Sequence, residues 1–221
     1  SWSAVKASLD SAALVGIDGV TATLKDITLA MNNKAEDGSL LDFNDGTDAN
    51  AYKLDVNTGP EVDGVQPTET LDFDAARGQY LMVTVGTDSE INLFDTVKLS
   101  GGFAFEQAEA AEEVTLSDGS TANVNVMRIG GDSISAFVGS NGTGIEANSI
   151  TFALGVFSDV DHPERQWMAL DGTADGLGLT GIDGVTLEGQ NLSLELNRQL
   201  SGGGINTLHT NAIYQVNLSG D

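Results

Sequence analysis

"GIDGVTATLKDITLAMNN" (16–33) and "GIDGVTLEGQNLSLELNR" (181–198) open on the same six letters, 165 positions apart. Each contains an Asp-Gly pair, which supplies the positive φ that a tight hairpin turn requires. Each then alternates apolar with other residues, the period of a strand with one covered face. The alternation slips once. Val185 and Leu187 are out of phase with Leu192, Leu194 and Leu196, and Val20, Ala22 and Leu24 are out of phase with Ile27, Leu29 and Met31. A slip of one residue sends a strand's apolar set to the opposite face unless a bulge absorbs it. The pattern therefore predicts a bulge or turn within 189–191 and at the equivalent place in the first copy. It also predicts that these aliphatic side chains face the core.

The likeness extends beyond the six letters. Sliding residues 1–34 by 165 places them on 166–199 without a gap, with twelve identical pairs, among them Trp2 with Trp167, Asp10 with Asp175 and Asn32 with Asn197. The two tryptophans of the chain are thus equivalents, each beside apolar residues, and both are expected in the core. A fainter copy, "LFDTVKLSGGFAF" (93–105), lies between, and "FNDGTDANAYKL" (43–54) matches "LSDGSTANVNVM" (116–127) in its Asp-Gly turn. The reading is an all-β chain of tandem units of about eighty residues. Their bounds are 1–77, 78–165 and a truncated 166–221. Serial β-sandwich modules and a stacked, solenoid-like sheet both fit, with the long alternations favouring the stack. Runs and turns count to about fifteen strands. The best helical stretch, Gln107–Glu113, is short and made of Ala, Gln and Glu.

Composition narrows the function. Thirty-three acids against nine bases give a net charge of −24, which excludes a nucleic-acid binder and disfavours anionic lipid. No apolar run is long enough to insert into a bilayer as a helix. With no cysteine, thiol catalysis and zinc–thiolate sites are excluded. The chain begins at Ser1, which suggests a processed product or an excerpt of something longer. Two histidines in non-equivalent positions and the lack of a Gly-x-Ser-x-Gly elbow argue against an enzyme.

The acids themselves suggest cation binding. "DFNDGTD" gathers Asp42, Asn44, Asp45 and Asp48 around a glycine turn, the hard-oxygen arrangement Ca²⁺ takes. The competing reading is a plain Asp-Gly hairpin on an acidic surface. "FSDVDHPER" offers Asp159 and Asp161 in a turn stiffened by Pro163, with a solvated loop as the alternative.

The succession "VKLSGGFAFE … VNVMRIGGDSISAFVGSN … ITFALGVFS … WMALDGTADGLGLTGIDGVTLEGQNLSLELN" resembles repeat units of very large bacterial surface and adhesin-like proteins. The resemblance implies an extracellular or cell-surface location, an all-β repeat architecture, calcium dependence and a structural or adhesive role. Partners would be neighbouring modules or identical subunits joined head-to-tail, with Ser1–Leu9 and Tyr214–Leu218 at opposite ends of the molecule. Surface glycans are the partner of the rival reading, a carbohydrate- or surface-binding β-domain.

Overall fold

The structure, a computed structural model, describes residues 1–43, 53–201 and 208. In chain order its strands are β1 (Ser3–Ile17), β2 (Val20–Asn33), β3 (Leu54–Asn57), β4 (Thr68–Leu71), β5 (Tyr80–Val85), β6 (Glu90–Leu93), β7 (Val97–Thr115), β8 (Thr121–Ser140), β9 (Thr143–Asp159), β10 (Gln166–Thr180) and β11 (Glu188–Ser201). Nine of them form one antiparallel sheet in the order β1-β2-β5-β7-β8-β9-β10-β11, with β6 continuing the lane of β5 between β2 and β7. The short β3 and β4 pair separately within the connection from β2 to β5. The chain is all-β, as its alternation predicts.

The Asp18-Gly19 and Asp183-Gly184 turns, with Gly19 and Gly184 at φ 76 and 75, fold β1 on β2 and β10 on β11. The two hairpins share one register. Ala4 faces Asn32 as Ala169 faces Asn197, and Leu9 faces Ile27 as Ala174 faces Leu192. One hairpin closes each side of the sheet, so among the described residues β1 and β11 are its edge strands. The unit boundaries expected at 77/78 and 165/166 fall in connections, and the hydrogen-bonded ladder passes across both.

The expected phase slip is present. Asp26 and Asn191, equivalent positions, sit at φ 47 and 52, in the left-handed region that swings a strand's alternation by one step. Other strands bend at the same level: Gly101 in β7 at φ 137, Ser133 in β8 at 53 and Ser149 in β9 at 52. Strands run through this line of bends instead of stopping there. Sequence segmentation divides them at the bends and so counts about fifteen, where the described residues hold eleven. Gln107–Glu113 lies within β7, because ladder hydrogen bonds to β5 and β8 outweigh the weak helix preference of Ala and Glu.

Burial is local. One cluster joins Val114, Leu116, Val124, Val126, Phe157, Trp167 and Leu208. A second, of Ala30, Phe73, Tyr80, Met82 and Ala108, forms where the β2–β5 connection lies on the sheet. Cross-strand partners share a face, and the row Ala4, Asn32, Tyr80, Ala108, Val126, Phe157, Trp167 and Gln199 links both clusters on one side of the sheet. We call this the front.

Two expectations are corrected here. Leu192, Leu194 and Leu196 are 38, 60 and 36 % exposed, and Val185 and Leu187 are exposed as well. The clusters form on the opposite face, where the returning connection brings Phe73, so aliphatic content alone does not decide which face is covered. Likewise Trp167 is wholly buried but Trp2 is 52 % exposed, its Nε1 donating to Ser39 Oγ at 2.9 Å. Trp167 lies between Phe157 of β9 and Gln199 of β11, whereas Trp2 precedes the edge strand, outside which no lane lies among the described residues.

The left-handed bend predicts an asymmetry at Asn191. Substitution by Val, whose branched Cβ resists positive φ, is expected to cost about 1–2 kcal/mol. That lowers the midpoint of thermal unfolding by about 2–8 °C, whereas Asn191→Gly leaves it unchanged or raises it. Equal midpoints for the two variants would contradict the bend.

Candidate functional site

Among the described residues, two features of this sheet are left open to a partner: its edges and its back. At mid-height on the back, Ala7, Leu29, Val83, Phe105, Ile129, Leu154, Leu170 and Leu196 form an unbroken apolar row across all eight lanes. None of the eight belongs to either buried cluster; seven are half-buried and Leu196 is exposed. Neighbouring rows on this side add Met31, Leu81, Met127, Val156 and Met168, and then Leu9, Phe103 and Phe152. Past the line of bends, Leu14, Ala22, Ile91, Leu99, Ala136, Ala147 and Leu177 continue the pattern. In β2, β7, β8 and β9 the bends return these residues to the same side.

The front carries the charge. Glu106 of β7, 9 % exposed, is met by Arg77 Nη2 at 2.8 Å and by Arg128 Nη1 of β8 at 3.5 Å, and Arg128 also pairs with Glu112. The Arg77 guanidinium stacks 4.4 Å from the centre of the Tyr80 ring. A carboxylate buried this deeply requires such pairing, so the network closes the gap between the connection and the sheet. Lower on the front, a shallow depression of about 180 Å³ is lined by Glu90, Lys98, Phe137, Glu146 and Asn148.

The acidic loops take different forms. Asn44, Asp45 and Asp48 lie outside the described residues; Asp42 Oδ1 accepts from the Ala75 amide at 3.4 Å. Asp159 is buried at the end of β9 and braces the loop to β10. Its Oδ1 accepts from the amides of Asp161 and His162, both at 2.9 Å, and its Oδ2 pairs with Arg165. Arg165 in turn lies 5.6 Å from the Trp167 ring centre. Burial alone would raise the Asp159 pKa, but the two amides and the guanidinium outweigh it and hold the carboxyl below its usual value. Asp161 is exposed and reaches Asp159 only through its backbone amide. Among the described residues no three acid or histidine side chains gather around one point.

Sequence reasoning missed one pair of positions. Asn32 Nδ2 donates to the Leu41 carbonyl at 2.8 Å, and Asn197 Nδ2 to the Leu208 carbonyl at 2.6 Å. These identical asparagines pin the chain that follows each hairpin, and their identity across the repeat was the available signal.

Comparison with family models, with curated proteins and with solved structures finds no match to this chain.

The Asp159 brace predicts a pH-dependent loss. Its folded pKa lies below the unfolded value, so its stabilisation is full above the ordinary carboxyl range, near pH 4, and fades as pH falls through the folded pKa. Asp159→Asn should therefore cost about 1–3 kcal/mol at neutral pH. Thermal melts of the two proteins should converge as the pH drops towards 3. A difference that stays constant down to low pH would count against the charged brace.

Proposed function

We propose that this chain is a non-enzymatic structural repeat module of a long extracellular fibre or surface adhesin, joined head-to-tail to neighbouring modules or identical subunits. Its units would be of about eighty residues, bounded as 1–77, 78–165 and 166–221 and continued as one solenoid-like sheet. The observation that carries this reading is the unequal fate of equivalent tryptophans. Trp167 is buried because β9 lies beside it; Trp2 heads a hairpin of the same register but stands at an open edge. A β9-like strand laid against β1 would cover Trp2 as Phe157 covers Trp167. Among the described residues no strand pairs with the outer sides of β1 and β11, and open strand edges recruit further strands.

Calcium fits this reading as a stabilising ion rather than a catalytic one. At −24 the stacked modules repel one another, and divalent cations offset that repulsion. The loop of Asp42, Asn44, Asp45 and Asp48 is the preferred place, because the Asp159 carboxylate is already engaged by Arg165. Millimolar-range Ca²⁺ should raise the unfolding midpoint and chelator should lower it; an unchanged midpoint leaves no role for the ion.

A carbohydrate-binding module is the second reading. Phe137 in the depression beside Glu90, Lys98 and Glu146 favours it, as sugar recognition combines an aromatic face with convergent polar groups.

Trp2 reports on the assembly directly. In a Trp167→Phe protein the remaining tryptophan emission should shift to shorter wavelength and lose acrylamide quenching as protein concentration rises or when a flanking module is attached. Emission that stays that of an exposed indole while glycan-array binding depends on Phe137 would replace the structural reading with the carbohydrate one.

A further inference from the structure

We propose that the apolar back of the sheet is a self-association face, on which a second copy of this chain packs sheet against sheet to make a two-layer sandwich. The juxtaposition is of identical surfaces across a two-fold axis. It is distinct from the edge-to-edge joining of modules and does not rest on it.

The area decides the occupant. Eight lanes spaced about 4.8 Å, with rows along about 35 Å of strand, give a footprint on the order of 1,300 Å². A stable complex needs about 800 Å² per partner, so one copy covers this face with enough area for lasting association. A side chain covered on one face of a single layer stays half-buried, which is the condition of Phe105, Ile129 and Leu154 at the centre of the row. A second layer about 10 Å away would complete their burial.

Charge and relief agree. Glu106, Asp171 and Glu195 stand on the front, in register with the buried row, whereas the back carries Arg198 opposite Met168 and Glu113 towards one end of β7. Packing back to back therefore places the acidic surfaces outward and apart, which a chain of net charge −24 requires of any self-contact. The back is also levelled by glycine. Phe152 lies across Gly131 on the adjacent strand, where a Cβ would stand 2.2 Å from Phe152 Cε1, so the ring lies flat instead of projecting. A level face is what interdigitating sheets need.

The absence of cysteine in the chain permits a clean test. Single cysteines are introduced at Ile129 on the back and, separately, at Thr173 on the front, and both proteins are oxidised over a dilution series. The expected result is disulfide-linked dimer from Ile129→Cys and monomer from Thr173→Cys, with sedimentation of the unmodified protein giving twice the chain mass. A paired variant, Phe105→Glu with Leu154→Glu, should sediment as a monomer whose far-ultraviolet dichroism remains that of a β-protein. Should that variant fail to fold, the cysteine proteins still decide the matter. The proposal is overturned by unmodified protein that stays monomeric at high concentration, by equal cross-linking from both faces, or by flotation of the monomer with phosphatidylcholine vesicles. Association abolished by Leu9→Pro on the edge strand but kept by the paired glutamates also overturns it, and leaves edge joining standing.

Discussion

The chemistry of this sheet depends on a line of backbone bends that crosses it at mid-height. Asp26, Gly101, Ser133, Ser149 and Asn191 each take positive φ within an otherwise extended strand. Strand side chains alternate with a period of two, so a strand of 14–20 residues such as β2 or β8 holds its apolar residues on one side only if the sequence keeps phase throughout. Here it does not, and the bends restore the phase. Asp, Asn and Ser are residues whose short polar side chains tolerate the left-handed region, and glycine does so freely. The neighbouring strands β7, β8 and β9 bend at the same level, and their ladders stay paired on both sides of the line.

That arrangement separates two surfaces. The front gathers the charged network of Glu106, Arg128, Arg77 and Glu112 and both buried clusters. The back gathers aliphatic and aromatic rows, with Arg198 and Glu113 among its charges. The clusters lie only where connections return over the front, as Phe73 and Leu71 do above Tyr80 and Met82. Stability is therefore supplied chiefly at one end of the sheet, while the end that carries the Asp18-Gly19 and Asp183-Gly184 turns exposes Ile17, Phe94, Val138 and Ile182.

Repetition adds a second constraint. Two hairpins of like sequence occupy the two borders, and each keeps its own register because turn and alternation specify it locally. Their surroundings differ, since β10 has β9 beside it and β1 has none among the described residues. Equivalent residues thus meet unequal environments, as the two tryptophans do, while the two asparagines keep equivalent roles because their partners lie a few residues ahead in the same chain.

The strand content, the Asp-Gly hairpin turns and the phase slip at Asn191 were legible in the residues, because period-two alternation and positive-φ turns are local properties of the chain. The candidate acidic pair Asp159 and Asp161 was legible only as composition: the amide and guanidinium partners that turn Asp159 into a loop brace come from its burial against Arg165. That the face of Leu192, Leu194 and Leu196 would stay exposed was beyond local reading, since its aliphatic spacing marks it as the apolar face of β11 and only the path of a distant connection decides which side of the sheet is covered. The sequence by itself determined an all-β chain with two like hairpins and a corrected phase. The tertiary structure decided that those hairpins border one sheet, that the buried clusters form on its front and that, among the described residues, its apolar rows stay open, because lane order and cover are set by contacts between residues far apart in the chain.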